Sequence, residues 1–238
     1  MVDNVADACN TGHVIAIETS SDACSLALRA TDGRVSEDHR DLPRGHHHAL
    51  LPMIDALIAR HETTPRSLVG IVLGAGPGSF TGLRIGASVA QALALAASCP
   101  IVAVSSLLVL AAGTDVGGDP PAESVIAAQP ARPGELYVGV YRRATSWVVE
   151  LPDRITPVAR LHETLHSFAG IPAVVAGRGA DKVLDAMRGS AWRRSANVLP
   201  RAAVALDIGL PLLVSGGGTD AAHLELNYVS DTSGWRKA

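Results

Sequence analysis

A chain of 238 residues, 47% hydrophobic and 18% charged, is long enough to bury a real core in one large domain or two lobes. Only 3% of its residues are aromatic, so that core must be packed from Ala, Val, Leu and Ile. A formal net charge of −3 excludes a protein that grips nucleic acid by bulk electrostatics.

Cys9, Cys24 and Cys99 are dispersed without a CxxC pair, the pattern of reduced thiols in a cytoplasm. The longest apolar stretch, Ile85 to Val104, is interrupted by Ser88, Gln91, Ser98 and Pro100, so no membrane span is expected. Residues 1–12 lack the basic start and apolar run of a secretion signal. They carry Asp3, Asn4, Asp7, Asn10 and Gly12 and are expected to be a disordered tail.

The elements then follow in order. His13 to Ile17 reads as a strand. Cys24 to Leu28 is a second, after the Thr19-Ser20-Ser21-Asp22 turn, and Thr31-Asp32-Gly33 turns into a third near Arg34 to His39. Leu50, Leu51, Ile54, Leu57 and Ile58 have helical spacing, with Pro52 tolerated only in a first turn. Val69 to Leu73 is a strand, Leu83 to Ala97 a helix, Ile101 to Val104 a strand and Ser106 to about Ala112 a helix. The order βββαβαβα suits several α/β folds. A Gly-, Asp- and Pro-rich linker, Gly113 to Pro121, divides the chain into lobes 13–113 and 114–238. The second lobe has strands Ser124 to Ala128, Leu136 to Tyr141, Trp147 to Leu151 and Pro172 to Ala176. Its helices are Val158 to Ala169, Asp181 to Met187 and Ala202 to Val214, and it reads as abbreviated.

Residues 74–86, GAGPGSFTGLRIG, join a strand to a helix through glycines. Unpaired N–H groups at such a helix start can hold an anion. The run lacks the Gly-Lys-Ser/Thr ending of a P-loop, and Ser79 stands where a dinucleotide fingerprint counted from Gly74 needs its third glycine. Ser79 or Thr81 could equally cap the helix while the glycines supply turn conformations.

GPGSFTGLRIG, with AIETSSDACSLAL (Ala16 to Leu28) before it and PIVAVSSL (Pro100 to Leu107) after it, resembles the TsaB/YeaZ family. HHHALLPMIDALI (His46 to Ile58) resembles that family's first helix. ARPGELY (Ala131 to Tyr137) resembles the start of its second lobe, and LNYVSDTSGW (Leu226 to Trp235) its C-terminal signature. The resemblance implies two actin-like (ASKHA) lobes with mixed sheets. It implies a non-catalytic scaffold for synthesis of threonylcarbamoyladenosine at adenosine 37 of tRNA. The partners would be TsaD, which does the chemistry, the ATPase TsaE, and a second copy of the chain. tRNA would be met only through the complex, in the cytoplasm and off the membrane. No cofactor would be required by this chain, although the wider pathway needs ATP and magnesium.

The resemblance also assigns residues. Glu18, Thr19, Ser20, Gly76, Gly78 and Ser79 would form a vestigial nucleotide loop, with Glu18 where family members commonly carry Asp. Pro130 likewise stands where Asp is usual. TsaD uses an HxxxH pair on the helix matching His46-His47-His48; here position 52, four after His48, is Pro, so a solvated helix start is expected and no metal. Ser215-Gly216-Gly217-Gly218-Thr219 is read as a helix stop rather than an adenosine turn. No nucleophile elbow surrounds Ser79.

From Ile85 to Cys99 there is no charged residue, and between His48 and Arg60 only Asp55. Helices without a charged face are covered on most sides, either as central helices of a monomer or by a partner. The resemblance favours a partner surface of Leu50, Leu51, Ile54, Leu57, Ile58, Arg84, Ala87, Ser88, Gln91 and Leu95. The alternative is a stand-alone actin-like phosphotransferase or hydrolase using Glu18 and the Gly216 turn.

Overall fold

The computed structural model describes residues 11–42, 45–115, 123–196 and 199–229. The expected tail therefore lies mostly outside the described residues, as do Cys9 and the end of the C-terminal signature. The chain forms two compact units. The first runs to Val109 and resumes over Pro200–Asn227; the second covers Leu110–Leu199.

The first unit holds strands β1 (His13–Glu18), β2 (Ala23–Arg29), β3 (Val35–Asp41), β4 (Leu68–Gly74) and β5 (Ile101–Val104). Their order in the sheet is β3-β2-β1-β4-β5. β1, β2 and β3 pair antiparallel, whereas β1, β4 and β5 run parallel, with Ala16 opposite Ala27 and Val72. β1 and β4 are apolar almost throughout because both faces of the sheet are covered. Ile15, Ile17, Ile71 and Leu73 face a core shared with helices α1 (His46–Arg60) and α2 (Phe80–Ala97). Val72, pointing the opposite way by strand alternation, meets a later helix across Gly209; a Cβ there would sit 2.5 Å from Val72 Cγ1.

α2 links the parallel strands β4 and β5. Among the described residues it is the one helix whose length and composition would suffice to cross a membrane. Here it is a crossover, lying on β4 and β1 of a single sheet.

The second unit repeats the plan. Helix α3 (Ser106–Ala112) leads toward it, and its strands are β6 (Ser124–Pro130), β7 (Glu135–Arg143), β8 (Trp147–Pro157), β9 (Ala173–Ala176) and β10 (Trp192–Arg194). The order is β10-β9-β6-β7-β8, with β6, β7 and β8 antiparallel and β6, β9 and β10 parallel. This is the same topology as the first sheet, the signature of an actin-like pair. The abbreviation lies in the helices rather than the sheet. α4 (Leu161–Leu165) and α5 (Ala180–Ala186) have 5 and 7 residues, against 15 and 18 in α1 and α2.

Three expectations are corrected and one strand, β10, was not expected at all. The helix read over Val158 to Ala169 is one α-turn between the 3-10 turns Val158–Arg160 and His166–Phe168, since only Leu161 and Leu165 are fully buried there. β10 has no strand signal long enough to notice. Pro52 lies in the second turn of α1, because that helix begins at His46; its missing N–H leaves the carbonyl of the exposed His48 to solvent. Finally α6 (Ala202–Val214), expected within lobe 114–238, packs on β1, β4 and β5 of the first unit. Its N-terminus is fastened there. Ser25 Oγ accepts from Ala202 N–H at 2.9 Å, Glu37 Oε1 accepts from Ala203 N–H at 3.1 Å, and Arg201 Nε donates to Glu37 Oε2 at 3.0 Å. It ends as expected on glycine: the amides of Gly216 and Gly217 donate to Leu213 and Leu212 carbonyls, with Gly216 at φ 78°.

Candidate functional site

β1 and β4 are parallel neighbours, with Ile17 opposite Leu73, so the turns that follow them emerge side by side. After β1 come Glu18, Thr19 and Ser20; after β4 comes the glycine run. The two turns close on each other. Ser79 N–H donates to the Ser20 carbonyl at 2.6 Å. Thr19 Oγ1 donates to the Gly82 carbonyl at 2.9 Å. A Cβ on Gly78 would overlap the Ser20 carbonyl, and one on Gly82 the Thr19 carbonyl. The glycines thus permit a backbone-to-backbone approach that no side chain would allow. Ser79 is also the helix cap: its Oγ accepts from Gly82 N–H at 3.3 Å.

Glu18 is fully buried. Ser20 N–H donates to its Oε1 at 2.7 Å, and Ser106 Oγ donates to its Oε2 at 2.8 Å. Ser106 Oγ in turn accepts from Gly76 N–H at 3.1 Å. Burial pushes the Glu18 carboxyl above the ordinary carboxylate range, and these bonds only partly oppose it. The carboxyl lies where a Cβ on Gly74 would be. The C-terminal signature reaches the same place: Asn227 N–H donates to the Ala75 carbonyl at 2.9 Å.

Beside these loops α1 and α2 leave a groove of about 490 Å³. Leu51 and Phe80, 55% and 56% exposed, form its apolar wall, with Ile85 and Val89 half-buried in its floor. The Arg84 guanidinium lies 3.9 Å over the Phe80 ring, and Ser88 lines the same groove. Leu95, 72% exposed, stands further along α2.

The structure therefore divides the expected partner surface. Leu51, Arg84, Ser88 and Leu95 are exposed. Leu50, Ile54, Leu57, Ile58 and Ala87 belong to the core, because one face of each amphipathic helix must cover the sheet. Leu50 alone of these also touches the groove wall. Gln91 is committed within the unit, its Nε2 donating to the Ala221 carbonyl at 2.7 Å. The histidine run is split as well. His46 is buried and its Nε2 donates to the Ala23 carbonyl at 3.1 Å, while His47 and His48 are exposed. Pro130 is exposed at the end of β6, beside the turn in which Ala131 N–H donates to the Glu135 carbonyl at 3.1 Å. Three participants have no separate sequence signal for their role: Phe80, Ser106 and Asn227.

The comparisons with known proteins agree with this architecture. The family model described as "TsaD: tRNA N6-adenosine threonylcarbamoyltransferase" matches residues 40–222. A tRNA threonylcarbamoyladenosine biosynthesis protein TsaB from Escherichia coli (strain K12) is 33% identical over 229 residues, covering 94% of this chain and 97% of that one. The crystal structure of a Pseudomonas aeruginosa protein described as similar to peptidase YEAZ aligns with a TM-score of 0.80 at 29% identity, over 92% of this chain and 100% of the other. YeaZ from Pseudomonas aeruginosa aligns with a TM-score of 0.75 at 28% identity, over 89% and 97%. Near-complete coverage in sequence and in structure, with the paired sheets and the closed glycine turn, leads to one conclusion: the chain belongs to the TsaB/YeaZ family.

Proposed function

We propose that this protein is a non-catalytic subunit in the synthesis of threonylcarbamoyladenosine on tRNA. The name of its Escherichia coli relative supports the pathway. The observation that carries the non-catalytic reading is the closure of the two turns. Both Glu18 oxygens accept from protein donors, and the Ser79 and Gly82 amides are already bonded. These residues do not fit a magnesium-bound nucleotide, whose phosphate would need free amides and whose ion would need an accessible carboxylate. No step is derived through such a group.

The role left to the chain is docking. Its α1–α2 groove is apolar, rimmed by Arg84, and sized for side chains of a partner helix. TsaD is the proposed occupant, in a complex that also engages the ATPase TsaE and uses ATP and magnesium outside this chain. The same surface would serve a homodimer, so the two assemblies compete. The working place is the cytoplasm, and tRNA is met through TsaD. Co-expression with the cognate TsaD, size-exclusion chromatography and an assay for the modified nucleoside test the proposal. Failure to co-elute would overturn the docking reading. Tight stoichiometric binding of Mg-ATP to the purified chain would overturn the non-catalytic reading and favour a phosphotransferase or hydrolase.

A further inference from the structure

The second unit carries a histidine pair that docking does not use. His162 and His166 stand one helical turn apart, on α4 and the 3-10 turn that continues it. Leu161 and Leu165 are fully buried and fix this turn to the core, while both histidines are exposed. Their rings are 6.3 Å apart between centroids and 22° from parallel. His166 Nδ1 lies 2.9 Å from the Glu163 carbonyl oxygen. A carbonyl can only accept, so Nδ1 carries a proton, and in the neutral ring this leaves the lone pair on Nε2. Metal-binding histidines are oriented in this way, one ring nitrogen donating to a carbonyl while the other ligates. The near-parallel rings show that both imidazoles face the same side although His166 already lies in the 3-10 turn. Borderline divalent ions favour such nitrogen ligands.

We propose that His162 and His166 form a two-imidazole chelate for a divalent transition ion of the zinc, nickel and copper class, with water completing the coordination. Both side chains are exposed and so have rotamers open to them, and the buried Leu161 and Leu165 hold the backbone between them. The spacing His162-Glu163-Thr164-Leu165-His166 matches the pattern zinc hydrolases use, in which the Glu is the general base. That chemistry does not follow here. Arg160 donates to both Glu163 oxygens, at 3.0 and 2.9 Å, so the carboxylate is already engaged. Among the described residues no group of three His, Cys, Asp or Glu side chains stands together to hold an ion. The site therefore binds without hydrolysing.

His47 and His48 are the confounding pair, exposed with ring centroids 3.9 Å apart. Their rings are closer together than those of His162 and His166, so the measurement must separate the two pairs. The test is calorimetric titration of the full untagged chain with zinc chloride. The parent, His162→Ala, His166→Ala and the double variant His47→Ala/His48→Ala are compared, with circular dichroism confirming each fold. The expected result is one site in the parent, weakened roughly tenfold or more by either single variant and unchanged in the double variant. Parent-like affinity in both single variants, or loss confined to the double variant, would overturn the proposal.

Discussion

Ser79 donates its amide hydrogen to the carbonyl of Ser20 at 2.6 Å, and this bond fills the position where a helix N-terminus would otherwise receive an anion. The residues are 59 apart in sequence yet meet because β1 and β4 are adjacent parallel strands. A loop pair with the outline of a phosphate cradle is thereby turned into a structural joint, which supports a chain that binds a partner rather than a nucleotide.

The joint depends on glycines. Gly82→Ala should destabilise the protein by about 1–3 kcal/mol, since the new methyl must displace the Thr19 carbonyl. Gly170→Ala, with nothing within 4 Å of the added atom, should leave stability within about 0.5 kcal/mol of the parent. Urea denaturation of the two variants checks the contrast; equal midpoints would show that the turns separate freely.

Glu18 predicts a pH dependence. Burial raises its pKa in the folded state, so the neutral acid is the form that folding favours. Below the ordinary carboxyl range both states are protonated and this preference is fully present. As pH rises, the unfolded chain ionises first, and stability is lost until the folded carboxyl also ionises. Glu18→Gln cannot titrate. Its thermal midpoint relative to the parent should therefore climb as pH rises through and above the ordinary carboxyl range. A difference that stays flat or shrinks would contradict the assignment.

The helix pair gives a three-way comparison. Leu51→Arg and Leu95→Arg replace exposed side chains and should fold with stability within about 0.5 kcal/mol of the parent. Ile54→Arg buries an unpaired charge against the sheet and should cost about 3 kcal/mol or more. Analytical ultracentrifugation with the cognate TsaD then tests docking. Leu51→Arg, in the groove wall, should weaken the complex at least several-fold. If Leu51→Arg and Leu95→Arg both bind as the parent does, partner contact lies elsewhere.

Pro130→Asp should leave complex formation nearly unchanged. The side chain is exposed at a strand end, and the neighbouring turn is held by the Ala131 to Glu135 bond rather than by Pro130. A large gain in nucleotide affinity in this variant would show that the departure from Asp had silenced a working site.

Much of the fold was legible in the order and period of the apolar residues. The strands β1, β2, β4 and β5 and the helices α1, α2 and α6 are where apolar runs or helical spacing put them. Local turn chemistry was readable too, as in the Gly216 stop of α6. β10 was not legible, because three residues carry no period. The segment after Val158 looked helical because short 3-10 turns share an approximate three-residue spacing with the α-helix.

By itself the sequence determined the kind of each major element, the family through its glycine run, and the absence of charge on α2 beyond Arg84. Only the tertiary structure decided which side of α2 is core, since a helix with Arg84 as its single charge has no polar stripe to mark its outer face. It decided that α6 returns to the first sheet, through contacts with Ser25 and Glu37 lying more than 160 residues earlier. It decided as well that Glu18 is fully buried and bonded to Ser106, 88 residues away. Period and propensity report a segment's neighbours along the chain. A carboxyl's availability depends on neighbours across space, and those exist only once the sheet has brought its parallel strands together.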